Sequence, residues 1–172
     1  MNEKYGNAED VSKLLLLRER IHSVLEKRFF SPENVLYDYV GLNGEVIIPA
    51  PEECMKNQPN PFAWNTPIEN GAFFNGDLLT GLIDLYEKHP SEKLKTQMMR
   101  LLSGLFLLQD LSPVEGCILR GLSSDGKTAY PASSNDQVIP WLLAVWKYAH
   151  SSADEKVKNE CRERCFRLCL AL

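Results

Sequence analysis

Two stretches of this chain follow one plan, and that repeat limits what the chain can fold into. Gly41-Leu42-Asn43-Gly44 is followed five residues on by Pro49-Ala50, and Gly121-Leu122-Ser123-Ser124-Asp125-Gly126 is followed five residues on by Pro131-Ala132. In each, a turn signal and an extended run lead through a proline into a helix start. Thr66, Pro67 and Glu69 read as an N-cap, a first helical residue and the far member of a capping box. Ser134 with Gln137 reads as a second box, and Ser152 with Glu155 as a third. The interval from Thr66 to Ser134, 68 residues, holds one helix pair and one decorated loop. Repetition at such a period signals a stacked or closed helical array.

The spacing of apolar residues fills in the rest. Val11, Leu14, Leu15, Ile21, Val24 and Leu25 lie near one helical face behind an Asp10 N-cap, which predicts a first helix ending near Phe30, before Ser31-Pro32. Residues 34–49 read as a β-hairpin turning at Asn43-Gly44, and the proline-rich run 49–65 as an irregular loop. The helix predicted from Thr66 to about His89 contains Gly71, Gly76 and Gly81. Each costs about 1 kcal/mol relative to Ala in a helix interior, so they predict an inner helix packed closely on its neighbours. Ser91 caps a helix running to about Asp110, with Leu94, Met98, Leu101, Leu102, Leu105 and Leu108 as its apolar face. A second long loop with a turn at Asp125-Gly126 follows, then helices from Ser134 to His150 and from Ser152 through Leu172.

Short links force antiparallel neighbours. The two long loops, 31–66 and 111–134, therefore share one end of the molecule with the helix starts at Thr66 and Ser134, and that end is the expected functional face. The expected architecture is one domain over 1–172, all-α with small β-hairpins in the loops, built from antiparallel helical hairpins with about five helices.

Composition narrows the function classes. With 44% apolar and 24% charged residues the chain has the make-up of a globular domain, and its length suffices to bury roughly 70% of the unfolded surface. A net charge of −4 without a basic run argues against nucleic acid as a partner. No run reaches the ~18 apolar residues of a membrane span and no secretory core opens the chain, so a cytoplasmic, non-membrane protein is expected. Five cysteines, an odd count, fit free thiols better than a disulfide framework. Cys161, Cys165 and Cys169 form a helical stripe that reads as core or interface rather than metal site. His22, His89 and His150 fall away from the long-loop end, and no zinc spacing, Ser-His-Asp order or phosphate-cradling glycine loop is present in the sequence. Neither metal nor cofactor is expected.

The candidate chemistry lies at the helix starts. Glu69 and Asp136 occupy matching first-turn positions, and a pair of carboxylates is what glycoside hydrolysis requires, one as acid and one as base or nucleophile. Each also has a plain structural reading: Glu69 as a capping-box member, Asp136 as a charge that favours the helix dipole. Arg120 and Asp38 sit on the loops, and Tyr37, Trp64, Tyr130 and Trp141 gather at the same end. Arg suits a uronate carboxylate and aromatic faces suit sugar rings, whereas any one of them alone reads equally as an ion pair or a core aromatic. Asn70 and Gln137 are polar contacts to substrate or, in the plain reading, hydrogen bonds between helices.

Two segments, Trp64-Asn65-Thr66-Pro67-Ile68-Glu69-Asn70-Gly71-Ala72-Phe73-Phe74-Asn75-Gly76 and Tyr130-Pro131-Ala132-Ser133-Ser134-Asn135-Asp136-Gln137, resemble the six-hairpin glycosidase-like superfamily of (α/α)6 toroids, which includes unsaturated glucuronyl hydrolases and bacterial carbohydrate-active proteins. The resemblance extends through most of 34–150. It implies inner and outer helices in alternation, a substrate funnel lined by the inner-helix N-termini, an oligosaccharide as ligand and a glycoside hydrolase-like activity. A complete toroid has twelve helices and this chain supplies about five, so the resemblance covers part of a ring. Completion by self-association through the C-terminal helix, or by a partner segment, is expected, with a non-catalytic helical-repeat module or an inactive fragment as the alternative.

Overall fold

The protein, described over residues 8–171 in a computed structural model, consists of six helices and irregular loops. The helices are α1 (Ala8–Arg28), α2 (Pro51–Met55), α3 (Gly71–Lys88), α4 (Glu92–Asp110), α5 (Asn135–Ala149) and α6 (Glu155–Ala171). Helix α3 packs on α4 and α5, and α5 packs on α6, so α3, α4, α5 and α6 form two antiparallel hairpins side by side. The links 89–91 and 150–154 are short, as expected. Val11's place in the first stripe and the continuation through Leu172 lie outside the described side chains and residues.

Apolar spacing selects the core. Leu79 and Ile83 of α3, Leu101, Leu102, Leu105 and Leu108 of α4, and Trp141, Ala144 and Tyr148 of α5 are buried in one cluster that Cys161, Cys165 and Leu168 of α6 complete. Burial pushes the Cys161 and Cys165 thiols up to about 12, which makes them inert packing groups. A smaller cluster lies beneath the loops, where Tyr37, Cys54, Ala63, Ile68 and Tyr130 pack together. It joins both long loops at one end of the helices.

Several expected element boundaries are corrected. The inner helix begins at Gly71, not Thr66: the Thr66 backbone N–H and hydroxyl both go to the Ala63 carbonyl, and the residues between form turns. Helix α5 does begin after Ser134, but the capping box does not form. The Ser134 hydroxyl donates to Asp136, and the Gln137 side chain crosses to α3 instead. At α6 the Lys156 N–H goes to Asp154 Oδ1 at 2.9 Å, while Ser152 donates its N–H to Glu87, so Asp154 takes the capping role expected of Ser152. Asp10 lies inside the first turn of α1 rather than ahead of it. Leu14, Leu15, Ile21 and Val24 stay largely exposed.

Among the described residues there is no strand, and the small β-hairpins of the loops are corrected to turns. The Asn43-Gly44 turn forms, with Gly44 at φ +89° and the Gly41 N–H bonded to the Glu45 carbonyl at 2.8 Å. Pairing stops there, because the neighbouring N–H groups have other acceptors: Leu36 goes to Asn75, Tyr37 to Phe29 and Asp38 to Pro67. Only an isolated antiparallel bridge between Phe30 and Leu36 is left. Sequence reading also missed α2 inside the proline-rich loop; Pro51 at its first turn with Glu52 and Glu53 was the available signal.

The glycines of α3 separate by surroundings. A Cβ on Gly76 would stand 2.6 Å from the Pro140 carbonyl oxygen of α5, whereas one on Gly81 would meet nothing within 4 Å. Close helix approach accounts for Gly76 and leaves Gly81 without a packing reason. Gly76→Ala is expected to destabilise by about 1–3 kcal/mol through overpacking against backbone. Gly81→Ala is expected to stabilise by up to ~1 kcal/mol. Denaturant unfolding of the two variants checks both signs.

Candidate functional site

Because α3 and α5 run parallel in contact, their N-termini stand side by side beneath the long loops. A fully buried amide, Asn75, fixes the first loop to this frame: its Oδ1 accepts the Leu36 N–H at 2.9 Å, and its Nδ2 donates to the Asn34 carbonyl at 2.8 Å and the Leu101 carbonyl at 3.3 Å. The loops are bonded to each other through Ser124 N–H to the Pro49 carbonyl and through the Tyr130 hydroxyl to the Gln58 carbonyl. Asp125 organises the second turn, accepting from the Ser123 and Thr128 hydroxyls and from the Lys127 and Thr128 N–H groups. Those donors, the Thr128 N–H first, hold its carboxyl far below the usual carboxylate range.

Arg120 is the centre of the polar cluster. It is 4% exposed, a depth at which a cation requires partners. Its guanidinium donates to the Glu69 carbonyl at 3.1 Å and to the Ser134 hydroxyl, and stands 3.5 Å from Asp136 Oδ1. Its Nε has no hydrogen-bond partner; the ring of Phe62 lies under the guanidinium, with its centroid 5.6 Å from Cζ. The Arg120 carbonyl accepts the Ala72 N–H in the first turn of α3, so this one residue holds both helix starts.

A chain of amides connects the carboxylates. Asp38 accepts the Asn70 backbone N–H at 2.8 Å and side-chain N–H at 2.7 Å. Asn70 Oδ1 accepts from Gln137 Nε2 at 3.1 Å, and the same nitrogen lies 3.4 Å from Asp136 Oδ2. Gln137 Oε1 accepts the Phe73 N–H of α3 at 3.2 Å. The two aspartates are tuned oppositely. Burial pushes the Asp38 carboxyl up, and the Asn70 bonds only partly offset it. Burial also pushes Asp136 up, but the Ser134 hydroxyl, the Arg120 charge and Gln137 together outweigh it and hold the carboxyl below its ordinary value. Half of the Asp136 side chain is in solvent, so it is an ionised carboxylate facing outward from a buried cation.

The remaining candidates divide. Glu69 brings its carbonyl to Arg120, while its carboxylate accepts the Asn65 N–H at 2.8 Å. Trp64 is half exposed and stacks on Phe62, centroids 4.9 Å apart. Tyr37 and Tyr130 are buried in the loop core, and Trp141 is fully buried with its indole N–H on the Leu105 carbonyl at 2.8 Å. Tyr37 and Trp141 support the site from beneath, whereas Tyr130 also borders the cleft beside the cluster. Arg120 has its donors directed at Glu69, Ser134 and Asp136 rather than outward. Beside the cluster, a cleft of about 470 Å³ opens between the 41–48 turn and the 58–67 loop, with Tyr39, Val46, Ile48, Asn65 and Pro67 in its walls.

No protein-family profile, curated protein or solved structure matches this chain. Among the described residues no group of three or more His, Cys, Asp or Glu stands close enough to hold a metal ion, and no helix is long and apolar enough to cross a membrane.

The sign of the Asp136 linkage is definite. Its folded-state pKa is depressed from 3.8, so its contribution to stability is complete above that value and is lost as the pH falls through the folded pKa. Arg120→Gln is expected to return the carboxyl toward 3.8 or above by leaving burial less opposed. Because it also leaves the Glu69 carbonyl and the Ser134 hydroxyl without their buried donor, the variant should lose about 1–3 kcal/mol of stability at neutral pH. Carboxyl-carbon NMR titration and denaturant unfolding read the two effects.

Proposed function

We propose that this chain is a carbohydrate-active protein of the glycoside hydrolase type, which acts on or binds an oligosaccharide at the face formed by the long loops 31–66 and 111–134. The observation that carries the reading is Asp136: a half-exposed carboxylate, held ionised over a buried arginine, at the point where two parallel helix N-termini and both loops meet. Such a group accepts a proton or attacks an anomeric carbon. In this reading Asp136 is the base or nucleophile, and Glu69, in its protonated form, is the acid that protonates the departing glycosidic oxygen. Asn70, Asp38 and Gln137 keep the carboxylate oriented, and Trp64 is the open aromatic face of the set. The partial six-hairpin toroid remains the architectural form of this proposal.

A separate observation favours a second reading, a non-catalytic helical module that forms part of a larger array. An apolar groove of about 640 Å³ lies between α5 and α6, with Ile139, Leu143, Trp146 and Phe166 in its walls, and none of the described residues fills it. A hydrolase and a binding module differ at Asp136. Asp136→Asn should abolish turnover of an oligosaccharide substrate, by 10²-fold or more, while its affinity stays within a few-fold. Reducing-end release and calorimetric titration with the same oligosaccharide panel provide the check; binding by the wild type without release would favour the module.

A further inference from the structure

We infer that the outer face of α1 is a docking surface for an acidic amphipathic helix of a partner protein, paired along a short seam of heptad type. The inference is independent of the carbohydrate reading and concerns a different surface.

Large apolar residues recur along α1 at alternating intervals of three and four: Leu14, Leu17, Ile21 and Val24. At 3.6 residues per turn they fall within about 80° of arc, a narrow row of the a and d kind rather than the broader stripe of a helix sunk in a core. All four are open, each between 46% and 64% exposed. They stay uncovered because α1 is held from its other side. Glu19 pairs with Lys93 of α4 at 2.6 Å, Glu26 accepts from Gln97 of α4 at 2.7 Å, and Phe29 and Phe30 just past the helix pack on the core. The close helix pairings of the fold, α3 with α4 and α5, and α5 with α6, leave α1 out. The row ends where Arg28 donates to the Gly41 carbonyl at 2.7 Å and the Leu42 carbonyl at 3.1 Å. A helix takes most of its stability from packing an apolar face, so an open row of this kind marks an interaction site.

Charge decides what fits there. Lys13, Arg20 and Lys27 stand seven residues apart and form a second row directly beside the apolar one, at the positions that flank such a seam on one side. All three are exposed. Lys13 meets Glu9 at 2.7 Å in an open contact, while Arg20 and Lys27 have no ion pair or hydrogen bond among the described residues. Past its first turn the only carboxylates of α1 are Glu19 and Glu26, and both are directed at α4. A second copy of the chain is a poor match. Two α1 seams laid parallel set Lys13 against Arg18, and laid antiparallel they set one basic row on the other. A lipid surface suits a wide apolar face that carries aromatic residues, whereas this row is narrow and wholly aliphatic. A helix with its own apolar seam and Glu or Asp beside it satisfies both rows at once.

The test is NMR titration of the whole isotope-labelled chain with three probes: a four-heptad peptide with Ile or Leu at a and d and Glu at e and g, the same peptide with Lys at e and g, and vesicles of phosphatidylcholine with phosphatidylserine. The Glu peptide is expected to shift α1 amide signals, less so at high salt, and the Lys peptide to leave them in place. Leu17→Ser combined with Ile21→Ser, both at exposed positions, should fold as the wild type and weaken binding roughly tenfold or more. Arg20→Glu combined with Lys27→Glu should reverse the preference toward the Lys peptide. A folded wild type that binds neither peptide, or both equally, would overturn the inference, as would binding that survives the double serine substitution. A response to the vesicles alone would overturn it in favour of a lipid contact, and self-association abolished by the same serine pair would overturn it in favour of a second copy.

Discussion

The approach of α3 to α5 is the constraint on which the rest depends. With no side chain on Gly76, the backbone of α3 comes against the carbonyl of Pro140, and Pro140 itself gives up the helical hydrogen bond to the Asp136 carbonyl. At that separation the first turns of the two helices are bridged by a single amide, Gln137, which reaches both Phe73 and Asn70. A larger residue at position 76 would push the helices apart and open the bridge. The core below and the polar cluster above are thus two consequences of one contact.

Charge at the loop end follows from that frame. A guanidinium buried among two helix starts is unstable alone, and Arg120 is matched by a carbonyl, a hydroxyl and a carboxylate drawn from those two segments. The arrangement has directional value because its last member faces solvent. Asp136 gains from the cation without being enclosed by it, and Asp38, more buried and served only by neutral amides, goes the other way.

Much of this was legible in the chain. Apolar spacing found every long helix, the antiparallel hairpins followed from two short links, and the repeated turn-proline-helix plan located the shared end. The signals failed where a tertiary acceptor was better than a local one. Capping-box residues are recognisable only by pattern, and at Thr66, Ser134 and Ser152 the pattern was present while the donors and acceptors were used elsewhere. The hairpin failed for the same reason: the N–H groups that would have paired its strands are claimed by Asn75, Phe29 and Pro67. Trp141 and Tyr130 were indistinguishable in sequence from Trp64, since an aromatic residue near a helix start reads the same whether its ring turns inward or outward.

By itself, then, the amino-acid sequence determined the helices, their antiparallel order and the clustering of polar residues at one end, because periodicity and link length are local properties that survive without knowledge of contacts. Only the tertiary structure decided which carboxylate faces solvent, which aromatic ring lies open, and which amides connect them. Those outcomes depend on competition for hydrogen-bond partners among segments far apart in the chain, such as Asp38, Asn70, Arg120 and Gln137, and that competition is resolved only when the segments are packed together.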